Sequence, residues 1–146
     1  MNAPAQLPTN DVFSWPVRVY WEDTDGGGIV YYANYLKYFE RARTEWLRAL
    51  GLEQRKLQET AGGLFVVSEA NVKFLRSARL DDMLQVTARL CEMGRSSFSI
   101  AQQVRLSLPH DAAQVLCTAS VRVGWINSTT HRPARMPASV VDVFPR

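Results

Sequence analysis

The chain has 146 residues, 47% hydrophobic and 21% charged, the proportions of one soluble globular domain rather than a fibrous or disordered chain. Its 17 basic and 14 acidic side chains leave a formal charge of +3, which is not the basic surface of a nucleic-acid binder but mildly favours a polyanionic ligand. No apolar run reaches the ~20 residues that span a bilayer, and the first residues lack the basic start and apolar stretch of a secretory signal, so a cytoplasmic protein is expected.

Residues 1–14, rich in Pro, Asn and small side chains, read as a loose tail ahead of a single domain over 15–146. In W-P-V-R-V-Y-W, residues 15–21, Val17, Val19 and Trp21 alternate with Arg18 and Tyr20, which predicts a first strand with those three on one face. An irregular turn follows in E-D-T-D-G-G-G, residues 22–28, where consecutive glycines permit close backbone approach. Residues 34–50 carry the helical pattern. Tyr35, Phe39, Ala42, Trp46 and Leu50 recur at three- and four-residue steps, Asn34 stands at the N-cap position, and Gly51 suits a left-handed C-terminal residue. A short second helix is expected over 53–60, before Gly62-Gly63.

Everything beyond that break is β-like. Val66, Ser68, Ala70, Val72 and Phe74 form one alternating series, and Leu84, Val86, Ala88 and Leu90 a second. Phe98, Ile100, Gln102, Val104 and Leu106 form a third, and Val115 through Trp125 a fourth. Turns at 79–82, 93–96 and 108–111 make the last strands antiparallel neighbours. Residues 137–144 are either a short helix or an extended tail. The order of elements predicts an α+β domain, an antiparallel sheet wrapped on one long helix, with sheet edges that pairing across an oligomer would cover. Cys91 and Cys117, lacking any metal-ligand spacing, are expected to be reduced packing residues.

The loop at 22–28 is the chemically unusual segment. Glu22, Asp23 and Asp25 place three carboxylates within four positions, just ahead of a helix start with unpaired N–H groups. A carboxylate facing such donors can attack or activate water while the N–H groups hold a developing oxyanion, an apparatus for acyl transfer. The same residues also suit a solvated turn in which Asp23 and Asp25 merely cap backbone amides. His110 and His131 lie in turns and read as exposed residues rather than bases. No G-x-S-x-G, H-E-x-x-H or paired C-x-x-C is present, so neither a serine nucleophile nor a metal is expected.

The stretch V-R-V-Y-W-E-D-T-D-G-G-G-I-V-Y-Y-A-N-Y-L-K-Y-F-E-R-A-R-T-E-W-L-R, residues 17–48, closely resembles the 4-hydroxybenzoyl-CoA thioesterase family, in particular its YbgC-type branch, whose genes often accompany the Tol-Pal envelope system. F-V-V at 65–67 and A-R-L-D-D at 78–82 extend the resemblance across roughly residues 15–140. It implies a hotdog fold, a homodimer or homotetramer with active sites between subunits, and hydrolysis of an acyl-CoA to a carboxylate and free CoA. No cofactor is implied, coenzyme A being part of the substrate; an acyl-carrier protein is a possible further partner. By the resemblance Asp25 is nucleophile or general base, and the backbone N–H of Tyr32 polarises the thioester carbonyl. Asp23, Gly28, Tyr31 and Asn34 surround them in the motif. Ser68, and Arg95 among several arginines (Arg76, Arg79, Arg132, Arg135), are candidates for contacting the substrate and its phosphates. The chain departs from the branch at Tyr32, where a histidine is usual: the backbone contact survives that exchange, an imidazole donor does not. A hotdog module without catalysis, recruiting acyl-carrier or envelope partners, is the competing expectation.

Overall fold

A computed structural model describes residues 12–108 and 114–145. The strands are β1 (Phe13–Arg18), β2 (Gly63–Phe74), β3 (Met83–Met93), β4 (Ser97–Leu106) and β5 (Gln114–Asn127), and the helices are α1 (Tyr35–Ala49), α2 (Gln54–Thr60) and α3 (Ala138–Val141). Short 3₁₀ turns cover Trp21–Asp23 and Tyr32–Asn34, the second running straight into α1. The strands form one antiparallel sheet in the order β1-β3-β4-β5-β2, with β1 and β2 at its edges. It curls around α1, the hotdog architecture that the 17–48 block implies.

Alternation decides which strand face meets the helix. On β4, Phe98, Ile100, Gln102 and Val104 are buried, and on β5 Cys117, Ala119, Val121, Val123 and Trp125 are. From α1, Tyr35, Tyr38, Phe39, Ala42, Trp46 and Leu47 turn inward. The buried stripe is thus wider than the expected one, taking in Tyr38 and Leu47, while Leu50 is only partly covered. Burying each large apolar side chain of this kind contributes about 1.5–3 kcal/mol. Gln102 pins the helix to the sheet: its amide donates to the carbonyls of Phe39 and Thr87, both at 3.1 Å, and its oxygen accepts from Arg43 Nη1 at 3.1 Å.

Gly51 ends α1 as expected. At φ +91° it lets its own N–H reach the Arg48 carbonyl and that of Leu52 reach Leu47, closing two carbonyls left over by the last turn. At the other end Asn34 does not cap α1. The Tyr32–Asn34 turn has already made Asn34 helical, so its side chain reaches back to the 22–28 loop. The 137–144 segment is partly the short helix α3, and it sends Val140 and Phe144 into the core; Phe144 joins Trp46, Phe65 and Phe98 in an aromatic cluster.

Three expectations need correction. Trp21 does not continue the first strand: β1 ends at Arg18, the chain turns, and Trp21 is 79% exposed. The inward series on β2 does not run continuously from Val66 to Phe74. Val67 pairs with Val123 and Glu69 with Arg122, which leaves Ser68 as one residue too many, a bulge that reverses the phase. Ahead of it Gly63 and Phe65 are buried; beyond it Ala70, Val72 and Phe74 take the helix-facing phase, and Ser68 itself is exposed. Cys91 is also exposed rather than packed, whereas Cys117 is buried. Most of the 1–14 tail, His110 and much of the expected 108–111 turn lie outside the described residues. No described helix is long and apolar enough to cross a membrane.

Candidate functional site

The 22–30 loop is built from its two ends inward. Asp23 is buried, 5% exposed, and its Oδ2 accepts the Tyr20 N–H at 2.8 Å. Its own carbonyl accepts the Tyr31 N–H and the Asn34 side-chain amide, both at 2.9 Å. Asp23 and Asn34 therefore tie the loop's start to its end and to the helix beyond. Thr24 and Val30 form an isolated bridge, and inside it the Asp25 N–H donates to the Ile29 carbonyl at 2.9 Å. The Gly28 N–H closes the turn on the Asp25 carbonyl at 3.2 Å, with Gly28 at φ +82°, a conformation that L side chains rarely adopt. Outside, Val30 N–H bonds the Ala78 carbonyl, and the Ala78 N–H donates to the Tyr35 hydroxyl at 2.9 Å.

Held in this way, the Asp25 side chain is exposed, and its Oδ1 accepts the Gly27 N–H at 2.7 Å. It opens onto a groove of about 340 Å³ whose walls include Tyr31, Tyr32, Tyr35, Phe74 and Arg76. The Tyr32 ring packs edge-on against Phe74 at 5.7 Å, and Phe74 meets Tyr35 at 5.8 Å. Tyr32 opens the helical run that continues through α1, so its N–H has no intrahelical acceptor, and no acceptor for it is found among the described residues. Asp25, with its exposed carboxylate, and Tyr32, whose N–H has no acceptor among the described residues, thus line one groove.

Two tyrosines beside the loop have raised pKa values. For Tyr35 burial is the main cause, opposed by the Ala78 N–H. For Tyr38 burial leads again and the nearby Asp23 carboxylate adds to it. The Tyr38 hydroxyl nevertheless satisfies no hydrogen-bond geometry among the described residues.

The structure brings Asp25, Tyr31 and Tyr32 to one groove, with Gly28 forming the turn and Asp23 and Asn34 anchoring it from behind. It does not bring Ser68 or Arg95 there within one chain. Ser68 sits on the β2 bulge, its hydroxyl 3.4 Å from the Arg122 carbonyl, and Arg95 lies in the β3–β4 turn, its carbonyl accepting the Met136 N–H. Of the arginines named with Arg95, Arg76 does line the groove. His131 is exposed at φ +60°. Sequence reading missed Phe74 as a wall, because it lies about 50 positions from Asp25 and only the sheet brings it near. Tyr35 was read as core alone, although its hydroxyl supports the loop. No group of His, Cys, Asp and Glu among the described residues is arranged to hold a metal ion.

Residues 19–144 match the model of the thioesterase-like superfamily. The chain is 38% identical over 132 residues to the acyl-CoA thioesterase YbgC of Haemophilus influenzae, covering 90% of this chain and 93% of that one. It is 32% identical to the acyl-CoA thioesterase YbgC of Helicobacter pylori, covering 82% of this chain and 90% of that one. Among solved structures, a probable thioesterase from Bartonella henselae superposes with a TM-score of 0.78 at 33% identity, over 87% of this chain and all of that one. The 4-hydroxybenzoyl-CoA thioesterase of a Pseudomonas strain has a TM-score of 0.82 over 91% and 99% of the two chains; at 23% identity it shares the fold.

Proposed function

Since the chain belongs to the thioesterase-like superfamily and is a thioester hydrolase, we propose that it cleaves an acyl-CoA in the cytoplasm, with Asp25 as its reacting carboxylate and Tyr32 N–H as its carbonyl-polarising donor. The observation that carries this reading is the groove that Asp25 and Tyr32 both line, the first with an exposed carboxylate and the second with an N–H that has no acceptor among the described residues. With Oδ1 held by Gly27, Asp25 attacks the carbonyl carbon through Oδ2, or removes a proton from a water that does so. The carbonyl oxygen gains negative charge as the tetrahedral intermediate forms, and the Tyr32 N–H, at the positive end of the helical run, stabilises it. Collapse of that intermediate expels the CoA thiolate. In the first route water then hydrolyses the acyl-aspartyl anhydride.

Tyr32 acts here through its backbone, so the phenol in place of the branch's usual imidazole leaves this donor unchanged. The aromatic walls Tyr31, Tyr32 and Phe74 favour the acyl part, and Arg76 favours an anionic part of the CoA. The edge strand β2 is the place for a second copy to join the sheet, making a homodimer or a pair of such dimers. An interface there would bring Ser68 of β2 to the subunit boundary.

Steady-state thiol release from short, long and aromatic acyl-CoAs tests the assignment against Asp25→Asn. Asparagine retains an oxygen for the Gly27 N–H but loses the nucleophilic charge. Turnover should fall by at least about 10³-fold with the melting temperature unchanged. An Asp25→Asn protein as active as the wild type refutes the role of Asp25, and a folded wild type silent on all three classes refutes acyl-CoA hydrolysis.

A further inference from the structure

α1 starts beside the Asp25 loop, and one face of its first turns looks onto Asp23. Asn34 reaches the Asp23 carbonyl with its side-chain amide. Tyr38 lies four positions on, one turn along the same face, and helical side chains lean back toward the N-terminus. Its phenol is therefore carried toward the residue that Asn34 already holds. Tyr35 packs edge-on against the ring at 5.9 Å, and the Arg41 guanidinium stands 5.9 Å from the ring centre. Tyr38 is wholly buried, and its hydroxyl has no partner in hydrogen-bond geometry among the described residues.

Next to that hydroxyl is an acceptor with capacity left. Asp23 is buried too, and of its two carboxylate oxygens only Oδ2 receives a donor among the described residues, the Tyr20 N–H. A buried phenol and a buried carboxylate left unbonded each forfeit hydrogen bonds that water would give them. Burial first, and the Asp23 carboxylate second, raise the pKa of Tyr38, so the phenol keeps its proton at neutral pH and remains a donor. Tyr38 does not line the Asp25 groove; any influence on the chemistry passes through Asp23 and the loop.

We infer that Tyr38 is a positioning residue for the reaction: its hydroxyl donates to Asp23 Oδ1 and ties the loop that presents Asp25 to the buried face of α1. A modest turn of the phenol or of the carboxylate completes the bond. Asn34 then fixes the main chain of Asp23 and Tyr38 its side chain, so the residue behind Asp25 is held at both ends. This rests on the role proposed above for Asp25 and adds what holds its loop.

Tyr38→Phe removes only the hydroxyl, and the direction of the stability change decides whether a bond is there. Losing a bonded hydroxyl should lower the melting temperature by about 2–4 °C, whereas losing an orphaned one should raise it. The variant should also lose kcat for acyl-CoA hydrolysis by at least about 5-fold with KM within about 2-fold, because Asp25 shifts while the groove does not. Ile100→Val, an equally buried change on β4, should lower the melting temperature and leave kcat unaltered. Amide hydrogen exchange gives a readout independent of turnover. The Tyr20 and Tyr31 N–H groups, both bonded to Asp23, should exchange at least about 10-fold faster in Tyr38→Phe and not in Ile100→Val. A Tyr38→Phe protein that melts above the wild type, or exchanges these amides no faster, overturns the bond. Faster exchange with unchanged kcat overturns the positioning role. A wild type silent on every acyl-CoA overturns the Asp25 reading and the positioning role with it, while melting and exchange still decide the bond.

Discussion

The three glycines beside Asp25 should behave differently, although the sequence presents them as one run. Gly28 sits at φ +82°, and a Cβ built on it meets nothing within 4 Å. Gly28→Ala therefore costs the left-handed backbone penalty and no clash, about 1–2 kcal/mol. For a chain of this length that is a fall of roughly 2–8 °C in melting temperature, with reduced turnover wherever the turn escapes the strain by moving Asp25. Gly26 also has open space around its Cβ position but no positive φ. Gly26→Ala should keep full activity and gain up to about 1 kcal/mol by restricting the unfolded chain. At Gly27 the added Cβ would sit 3.3 Å from Asp25 Oδ1, tight enough to push on the carboxylate proposed to react. Gly27→Ala should therefore keep its stability and lose turnover, by up to about 100-fold if the displacement approaches 1 Å. Calorimetry and steady-state hydrolysis of the three variants test this together. A Gly28→Ala protein as stable and active as the wild type, or a Gly26→Ala protein worse than Gly28→Ala, refutes the reasoning.

Gly63 presents the opposite case, a glycine required by space. A Cβ there would lie 2.3 Å from two atoms of the Trp125 indole, which is itself buried. Gly63→Ala should destabilise by at least about 1–3 kcal/mol, lowering the melting temperature by at least about 2 °C; an unchanged melt would mean that Trp125 can move aside. The two cysteines should differ in titration with a thiol reagent. Cys91 is exposed and should react in the folded protein, whereas burial pushes the Cys117 thiol up to about 12, so it should stay unreactive at pH 8 until denaturant is added. The same shift makes folding favour the protonated thiol. Its contribution is complete below the unfolded value near 8.5 and is lost as pH rises from there toward 12. Two thiols reacting in the folded state at pH 8 would contradict the packing of β5.

What was legible in the sequence was what repeats or terminates locally. The series on β4 and β5 place Ile100 and Val121 inside because a two-residue period admits only one buried face. Gly51 marks the helix end because its positive φ is a property of one residue. The β2 bulge was not legible: Val66 and Val67 are both apolar, so either phase fits, and the reversal at Ser68 appears only in the pairing with β5. Trp21 misled because it continues the alternation of Val17 and Val19, while a turn stabilised by Tyr20, Asp23 and Thr24 ends the strand before it. In the site, Asp25 and the helix start could be found because they are neighbours in sequence. Phe74 could not, since its contact is made through the sheet, and Arg76 could be named only as one of several arginines, since the same contact singles it out.

Asp23 and Asp25 illustrate why residue type alone left the loop ambiguous between a solvated turn and an acyl-transfer site. The two carboxylates are placed differently, one as each reading requires. Asp23 is the structural carboxylate: it is buried, it takes the Tyr20 N–H, and its carbonyl gathers Tyr31 and Asn34. Asp25 is exposed at the groove, and its side chain holds only the next turn of its own loop. The loop's geometry therefore depends on Asp23 and on main-chain bonds to Ile29 and Ala78, not on the charge of Asp25. That separation makes Asp25→Asn a test of chemistry, whereas any change at Asp23 would mix lost chemistry with a displaced loop. It also explains how a glycine-rich segment stays ordered: its two ends are fixed to the helix and to the 78–79 connection, and only the turn between them is left to the glycines.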